Sequence, residues 1–207
     1  MDVERPVREQ LLQTLNWSFL SHEEVELSHP FWPELNLRAD IVAVPLDDPL
    51  RYLPLAFEVK NPAVGDESKY TTWSFAIKQA ADYVFASIRD PRMPDFNGRR
   101  IAGAFVFPAP NLPPPSPDKV NDRETYHRTI SAGAFHLAQH FGVGRALLSA
   151  NGELLLMFGP SVVFAANSWS DRVKRVLKSK RRIGSQMIDI HSRLGGLNED
   201  FAPYETD

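Results

Sequence analysis

Apolar positions change period several times along the chain, and each change marks an element. Val7, Leu11, Leu12 and Leu15 recur at helical spacing behind Pro6, which a first turn tolerates, and predict an amphipathic helix over Arg5–Asn16. Glu24, Val25, Glu26 and Leu27 alternate polar with apolar, so Glu23–Trp32 reads as a strand with one buried face. Arg38–Val44 and Leu55–Lys60 are short, rich in branched and aromatic residues, and ended by Pro45 and by Asn61-Pro62. They predict the second and third strands of a meander, joined by the polar, proline-bearing loop Pro45–Pro54. Leu55, Phe57 and Val59 then share one face of the third strand, and Ala56, Glu58 and Lys60 the other. A loop over Asn61–Tyr70 leads into a helix over Thr72–Ile88. This helix turns Trp73, Ile77, Val84, Phe85 and Ile88 to a core and carries Thr72, Phe75, Gln79 and Tyr83 on an adjacent stripe. Ile101–Phe107 is almost continuously apolar, as in a strand covered on both faces.

The second half is punctuated differently. Pro108–Pro117 holds six prolines and predicts a stiff crossover or a protruding arm. Tyr126–Phe141 reads as a helix closed by Gly142. His136 and His140 are one turn apart on it, but Leu137 follows His136, so the zinc-protease pattern is missing and both read as packed or surface histidines. Arg145–Leu148 and Glu153–Phe158 flank Asn151-Gly152, which predicts a hairpin with a type I′ turn. Ser170–Gly184 reads as a helix from a serine N-cap to a glycine stop. Its Arg172, Lys174, Arg175, Lys178, Lys180, Arg181 and Arg182 face a single acid, Asp171. The tail beyond Gly195-Gly196 is acidic and predicts loose order. The pattern as a whole predicts an α/β fold, a central mixed sheet flanked by helices, with a C-terminal hairpin and a basic helix. The division expected is a domain over 1–167, including the hairpin 145–159, and an appendage over 168–207 packed on it.

Composition changes this picture little. The 207 residues are 43% hydrophobic and 24% charged, with a net charge of −3 and no cysteine. Disulfides, zinc–thiolate sites and thiol nucleophiles are thereby excluded, and an intracellular, cytoplasmic protein is expected. No apolar run is long enough to predict a membrane span. Against a slightly acidic whole, the cations of Ser170–Gly184 are segregated enough to be a candidate phosphate-backbone footprint or a solvated helix face.

The candidate chemistry lies between residues 40 and 83. Asp40 and Glu58 are oxygen ligands suited to a hard cation such as magnesium. Lys60 beside them could orient a water, stabilise charge on a phosphoryl group, or act as a base if desolvated. A solvated strand face is the structural alternative for Glu58 and Lys60. Asp40, Glu58-Val59-Lys60 and Gln79-Ala80-Ala81-Asp82-Tyr83, in this order and spacing, resemble the PD-(D/E)xK nuclease superfamily. More narrowly they are similar to its Gln-x-x-x-Tyr branch, found in phage-type and helicase-linked DNA exonucleases. The resemblance covers roughly residues 9–107, and Ala39 stands where the family name has proline.

The resemblance implies a restriction-endonuclease-like core and hydrolysis of DNA phosphodiesters with Mg2+, for which Mn2+ would substitute. By the same likeness Asp40, Glu58 and the Val59 carbonyl would hold the metal, and Lys60 would assist the attacking water. Gln79 would position Lys60 or the water, and Tyr83 would support the helix face or touch the DNA backbone. Relatives often carry a further acid in the first helix, for which Glu9 is the candidate. Arg172, Arg175, Lys178, Lys180, Arg181 and Arg182 would contact DNA. The partners implied are DNA, a second copy or higher oligomer of the chain, and a helicase or other protein, with no membrane. The alternatives are a restriction-type or junction-resolving endonuclease and a catalytically silent module that binds nucleic acid or protein.

Overall fold

The computed structural model describes residues 4–47, 50–61, 68–109, 133–159 and 161–170, with α2 side chains from Trp73 onward. Residues 171–184 of the expected basic helix, the acidic tail, the proline run past Ala109 and residues 126–132 of the expected helix lie outside these residues, as do all six basic residues proposed to contact DNA.

The first helix, α1 (Arg5–Leu15), takes Pro6 in its first turn and buries Leu11 and Leu15 completely. A turn closed by the Ser18 amide on the Leu15 carbonyl delivers the chain into β1 (Phe19–Ser28). The order continues β2 (Leu37–Pro45), β3 (Leu55–Val59), α2 (Ser68–Phe85), β4 (Ser87–Ile88) and β5 (Gly103–Phe107). Helical residues 133–138 follow, then β6 (Val143–Leu148), β7 (Leu154–Phe158), β8 (Ser161–Ala165) and β9 (Ser168–Trp169). All nine strands form one mixed sheet in the order β4-β1-β2-β3-β5-β6-β7-β8-β9. The β3–β5 and β5–β6 pairs are parallel and the other pairs antiparallel.

Two apolar layers cover the sheet. One packs Ala56, Ala104 and Val106 under Trp73, Ala76, Ala80, Tyr83 and Val84 of α2 and under Phe135 and Ala138. Alanine at 76 and 80 leaves no bulk between helix and sheet, so α2 lies close enough for Tyr83 to reach β3. The other layer packs Ile41, Leu55, Phe57, Val59, Phe105 and Phe107 against Leu11 and Leu15 of α1. Phe57 and Phe105 stack at 5.6 Å there, and burial of each such ring stabilises the fold by roughly 1.5–3 kcal/mol. The mixed α/β sheet with helices on both faces matches the expected class, and the sheet continues through Ser168–Trp169, past residue 167.

Four local expectations are corrected. The first strand runs Phe19–Ser28 rather than Glu23–Trp32, because Phe19–Glu23 finds partners in Pro45–Ile41 while Pro30 and Pro33 lack the amides a ladder needs. The second helix ends at Phe85, and Ile88 belongs to β4, paired with Leu27. Tyr83, expected on the stripe beside the core, is itself fully buried, since the sheet packs against the Trp73–Ala76–Ala80–Tyr83 line, while Phe75 of the same stripe stays exposed. The β6–β7 hairpin forms around Asn151-Gly152 without a type I′ turn. Only Gly152 has positive φ, and the Gly152 amide reaches the Ser149 carbonyl, so a glycine ends a three-residue loop. Two successive positive φ values instead occur at Ala166 and Asn167, joining β8 to β9.

The β1–β2 pair carries one irregularity, a shared exchange of faces. Phe19 of β1 packs into the α1 layer, whereas Val25 and Leu27, an even number of residues on, pack into the α2 layer. In β2, Ile41 and Ala43 face the α1 layer, whereas Leu37 and Ala39 join the α2 layer. Both strands therefore exchange faces at the same place, between the Glu23–Ile41 and Val25–Ala39 pairs, and the register survives. The residues at that place are Glu24, whose φ is +51°, and Asp40. A non-glycine residue in this region costs on the order of 1 kcal/mol.

Candidate functional site

The site lies where β2 and β3 part. Their ladder runs from Ala43–Leu55 to Ile41–Phe57 and stops. Beyond it the Asp40 carboxylate takes the place of a backbone acceptor and receives the Val59 amide at 2.6 Å. On its other side β3 runs on, with the Lys60 amide donating to the Phe107 carbonyl at 2.8 Å. Strand alternation turns Glu58 toward α2, and its side chain is wholly buried. The Tyr83 hydroxyl donates to Glu58 Oε2 at 2.5 Å, with the Arg38 carbonyl 2.9 Å from the same hydroxyl. Gln79 Nε2 donates to the Tyr83 hydroxyl at 2.9 Å, one helical turn away. Lys60 Nζ is 2.5 Å from Glu58 Oε1 and 3.6 Å from Glu4 Oε1.

Asp40, Glu58, Lys60, Gln79 and Tyr83 thus converge in one place, with Val59 entering through its amide. Glu9 does not join them: it is exposed and pairs with Arg5 at 2.8 Å. The acid at this end of the chain whose charge reaches Asp40 and Lys60 is Glu4, the N-cap residue of α1. Glu4 and Glu9 are five residues apart and so lie on different sides of a helix with 3.6 residues per turn. Glu24 is the second group the sequence did not single out. It stands opposite Asp40, raises its pKa, and is paired with Arg8 at 2.5 Å and with Arg38 at 3.8 Å. Alternation alone put Glu24 on a polar strand face; placing it against Asp40 needs the β1–β2 register.

No family model, curated protein or solved structure matches this chain.

The electrostatics follow from burial and crowding. Burial pushes the Glu58 carboxyl up to about 7, the negative charge of Asp40 adds to this, and Lys60 and Tyr83 oppose it. Asp40 is also raised, mainly by burial, against the pull of the Val59 amide and Lys60. Burial would lower Lys60, but Glu58, Glu4 and Asp40 outweigh it and raise the ammonium above its ordinary value. In the metal-free chain Lys60 is therefore held as a cation. Burial and the nearby carboxylates keep the Tyr83 hydroxyl protonated, so it acts as a donor.

The donor set bears on whether a cation fits. Among the described residues no group of three or more His, Cys, Asp or Glu side chains is arranged to hold a metal ion. The carboxylates that converge are two, Asp40 and Glu58. Glu58 Oε1 is held by the Lys60 ammonium at 2.5 Å, and a carboxylate oxygen keeps a further lone pair that a cation can take. Magnesium keeps several waters and is often bound through one or two carboxylates, so this oxygen pair suits it.

Proposed function

We propose that this chain is a metal-dependent nuclease that hydrolyses DNA phosphodiester bonds at the Asp40–Glu58–Lys60 site. The observation that carries the reading is the buried Glu58 carboxylate, set between the Lys60 ammonium and the Tyr83 hydroxyl and beside Asp40 where the sheet opens. A solvated strand face, the structural alternative for Glu58 and Lys60, does not fit a glutamate with no exposed surface.

Asp40 and Glu58 would hold Mg2+, or Mn2+ in its place, and the Val59 carbonyl is a further candidate ligand. The metal would supply a Lewis acid at a phosphoryl oxygen and a more acidic bound water. Asp40 is fixed for this by the Val59 amide, and Glu58 by Tyr83, which Gln79 in turn orients. Lys60 would orient the attacking water and, as a cation, stabilise the negative charge that develops on the phosphorane oxygens. Arg172, Arg175, Lys178, Lys180, Arg181 and Arg182 would supply phosphate contacts, DNA would be the partner, and oligomerisation or a helicase would add processivity. No helix among the described residues is long and apolar enough to cross a membrane.

The test is a cleavage assay on plasmid, linear duplex and single-stranded DNA with Mg2+, Mn2+ or chelator, joined to calorimetry of metal binding. Chelator-sensitive cleavage that Glu58→Ala abolishes is the expected result. Metal-independent binding without cleavage would favour the silent binding module, and nicking of closed plasmid without attack on ends would favour an endonuclease.

A further inference from the structure

The exchange of faces at Glu24 and Asp40 is held from outside the site. After β4 the chain runs along the free edge of β1, where side chains replace a strand. The Arg89 amide donates to the Glu26 carbonyl at 2.9 Å, and the Glu26 amide donates to Asp90 Oδ2 at 3.2 Å. Arg92 Nη2 donates to the carbonyls of both Glu23 and Glu24, each at 2.9 Å. Asp90 is buried and binds Arg92 through Nε at 2.9 Å and Nη2 at 2.6 Å, so the guanidinium is aimed before it meets β1.

The clip therefore grips the peptide on either side of the one β1 residue with positive φ. Without it, β1 would relax toward regular alternation, and side chains on one side of Glu24 would have to change faces. β2 is tied to β1 by continuous register and crosses over at the paired position, Asp40. The Asp40 crossover is also what puts its carboxylate in the opening between β2 and β3, on the Val59 amide.

We propose that Asp90 and Arg92 are positioning residues for Asp40: by holding the crossover of β1 they hold that of β2, and with it the carboxylate on the Val59 amide. Asp90 and Arg92 touch none of the site side chains and act through the backbone of Glu23 and Glu24. The catalytic meaning of the clip rests on the nuclease reading, while its geometric action does not.

The experiment reads amide hydrogen exchange by NMR on the metal-free full chain. Asp40→Ala sets the scale, because it removes the acceptor of the Val59 amide. Arg92→Ala is expected to speed Val59 exchange by about tenfold or more, toward the Asp40→Ala value, while Phe105 and Val106 in β5 keep their protection. Arg92→Lys is expected to fall between, since an ammonium cannot bond both carbonyls and Asp90 in the guanidinium's planar geometry. If Arg92→Ala does not fold, Asp90→Asn, which keeps the shape and weakens the grip on Arg92, should show the same selective change. Wild-type protection of Val59 in these variants would overturn the proposal, and so would acceleration shared equally by Phe105 and Val106. A wild-type chain that neither binds Mg2+ nor cuts DNA would end the nuclease reading and leave the Val59 comparison standing. If it does cut, Arg92→Lys should lower the single-turnover rate at saturating Mg2+ and leave DNA affinity unchanged.

Discussion

Glu58 on β3 and Asp90 in the loop after β4 are both buried carboxylates, and they are driven in opposite directions. Asp90 accepts from Arg92 Nε and Nη2 and from the amides of Arg92 and Glu26, and these donors hold its pKa well below the carboxylate range. Glu58 has one hydroxyl donor, an ion pair with Lys60 and a negative neighbour in Asp40, and it is pushed up to about 7. Burial raises both and is the largest influence at Glu58, where the negative charge of Asp40 adds to it; at Asp90 the hydrogen bonds from Arg92 outweigh it. A carboxylate with its lone pairs filled is a structural clip, whereas one left short of donors has something to exchange, a proton or a cation.

The largest expected effect separates the two by chemistry. Asp40→Ala and Glu58→Ala should abolish cleavage with the fold intact, as read by circular dichroism beside a cleavage assay; wild-type cleavage in both would end the nuclease reading. Lys60→Ala should still bind Mg2+ and DNA but lose roughly 100-fold or more in single-turnover rate, the scale of a positioned electrostatic group. Lys60→Arg should not restore it fully, because the guanidinium is larger and planar.

Stability should sharpen the contrast next. Arg92→Ala leaves Asp90 buried without its cation and should destabilise the chain by about 3 kcal/mol in urea denaturation. Asp90→Ala should cost less, because the Arg92 side chain is 53% exposed and water can take over its donors. Equal losses would mean that the pair acts as packing alone.

The pH dependence of the metal-free chain should carry both signs. The folded-state pKa of Glu58 lies above its unfolded value, so its contribution is fully present below about pH 4.5 and is lost as pH rises through about 7. A shift of that size corresponds to roughly 3 kcal/mol. Asp40 adds the same sign. The folded-state pKa of Asp90 is depressed, so its contribution is present above the unfolded value and is lost as pH falls through the folded one. Glu58→Gln should flatten the loss between pH 5 and 7 and leave the acid limb alone, and saturating Mg2+ should oppose the same loss if the site binds it. A Glu58→Gln curve that overlays wild type would place the titration elsewhere.

The smallest effect belongs to the tyrosine. Tyr83→Phe removes the donor that opposes burial at Glu58, so the midpoint of the pH-dependent loss should move to higher pH, by an amount worth about 1 kcal/mol. An unchanged midpoint would mean that the hydroxyl serves the Arg38 carbonyl instead.

Much of the fold and of the site is legible in the chain, for local reasons. Pro6 and the Leu11–Leu15 spacing place α1 to within a residue of its observed end. Branched residues bounded by proline place β2 and β3, and the apolar run places β5. Asp40, Glu58 and Lys60 are named by residue type, Gln79 and Tyr83 by the family resemblance, and the five lie together in the structure. Glu4 and Glu24 escape a reading of the chain because their relevance depends on a helix face turned to the sheet and on a register between strands. Asp90 and Arg92 escape it for the same reason: the partners of Arg92, the carbonyls of Glu23 and Glu24, are more than sixty residues away in the chain.

Local sequence settles the periods, the breaks and the chemistry available: which segments are helix or strand, and which side chains are acid, base or hydroxyl. These follow from short-range sterics and from the two repeats of the backbone. Long-range packing decides where β1 begins, that β1 and β2 exchange faces together, and that β2 and β3 separate at Asp40 and Glu58. It also decides which of two buried carboxylates is satisfied and which is left short. A side chain's ionisation and its hydrogen bonds depend on what packs around it from distant segments, and no local pattern encodes that.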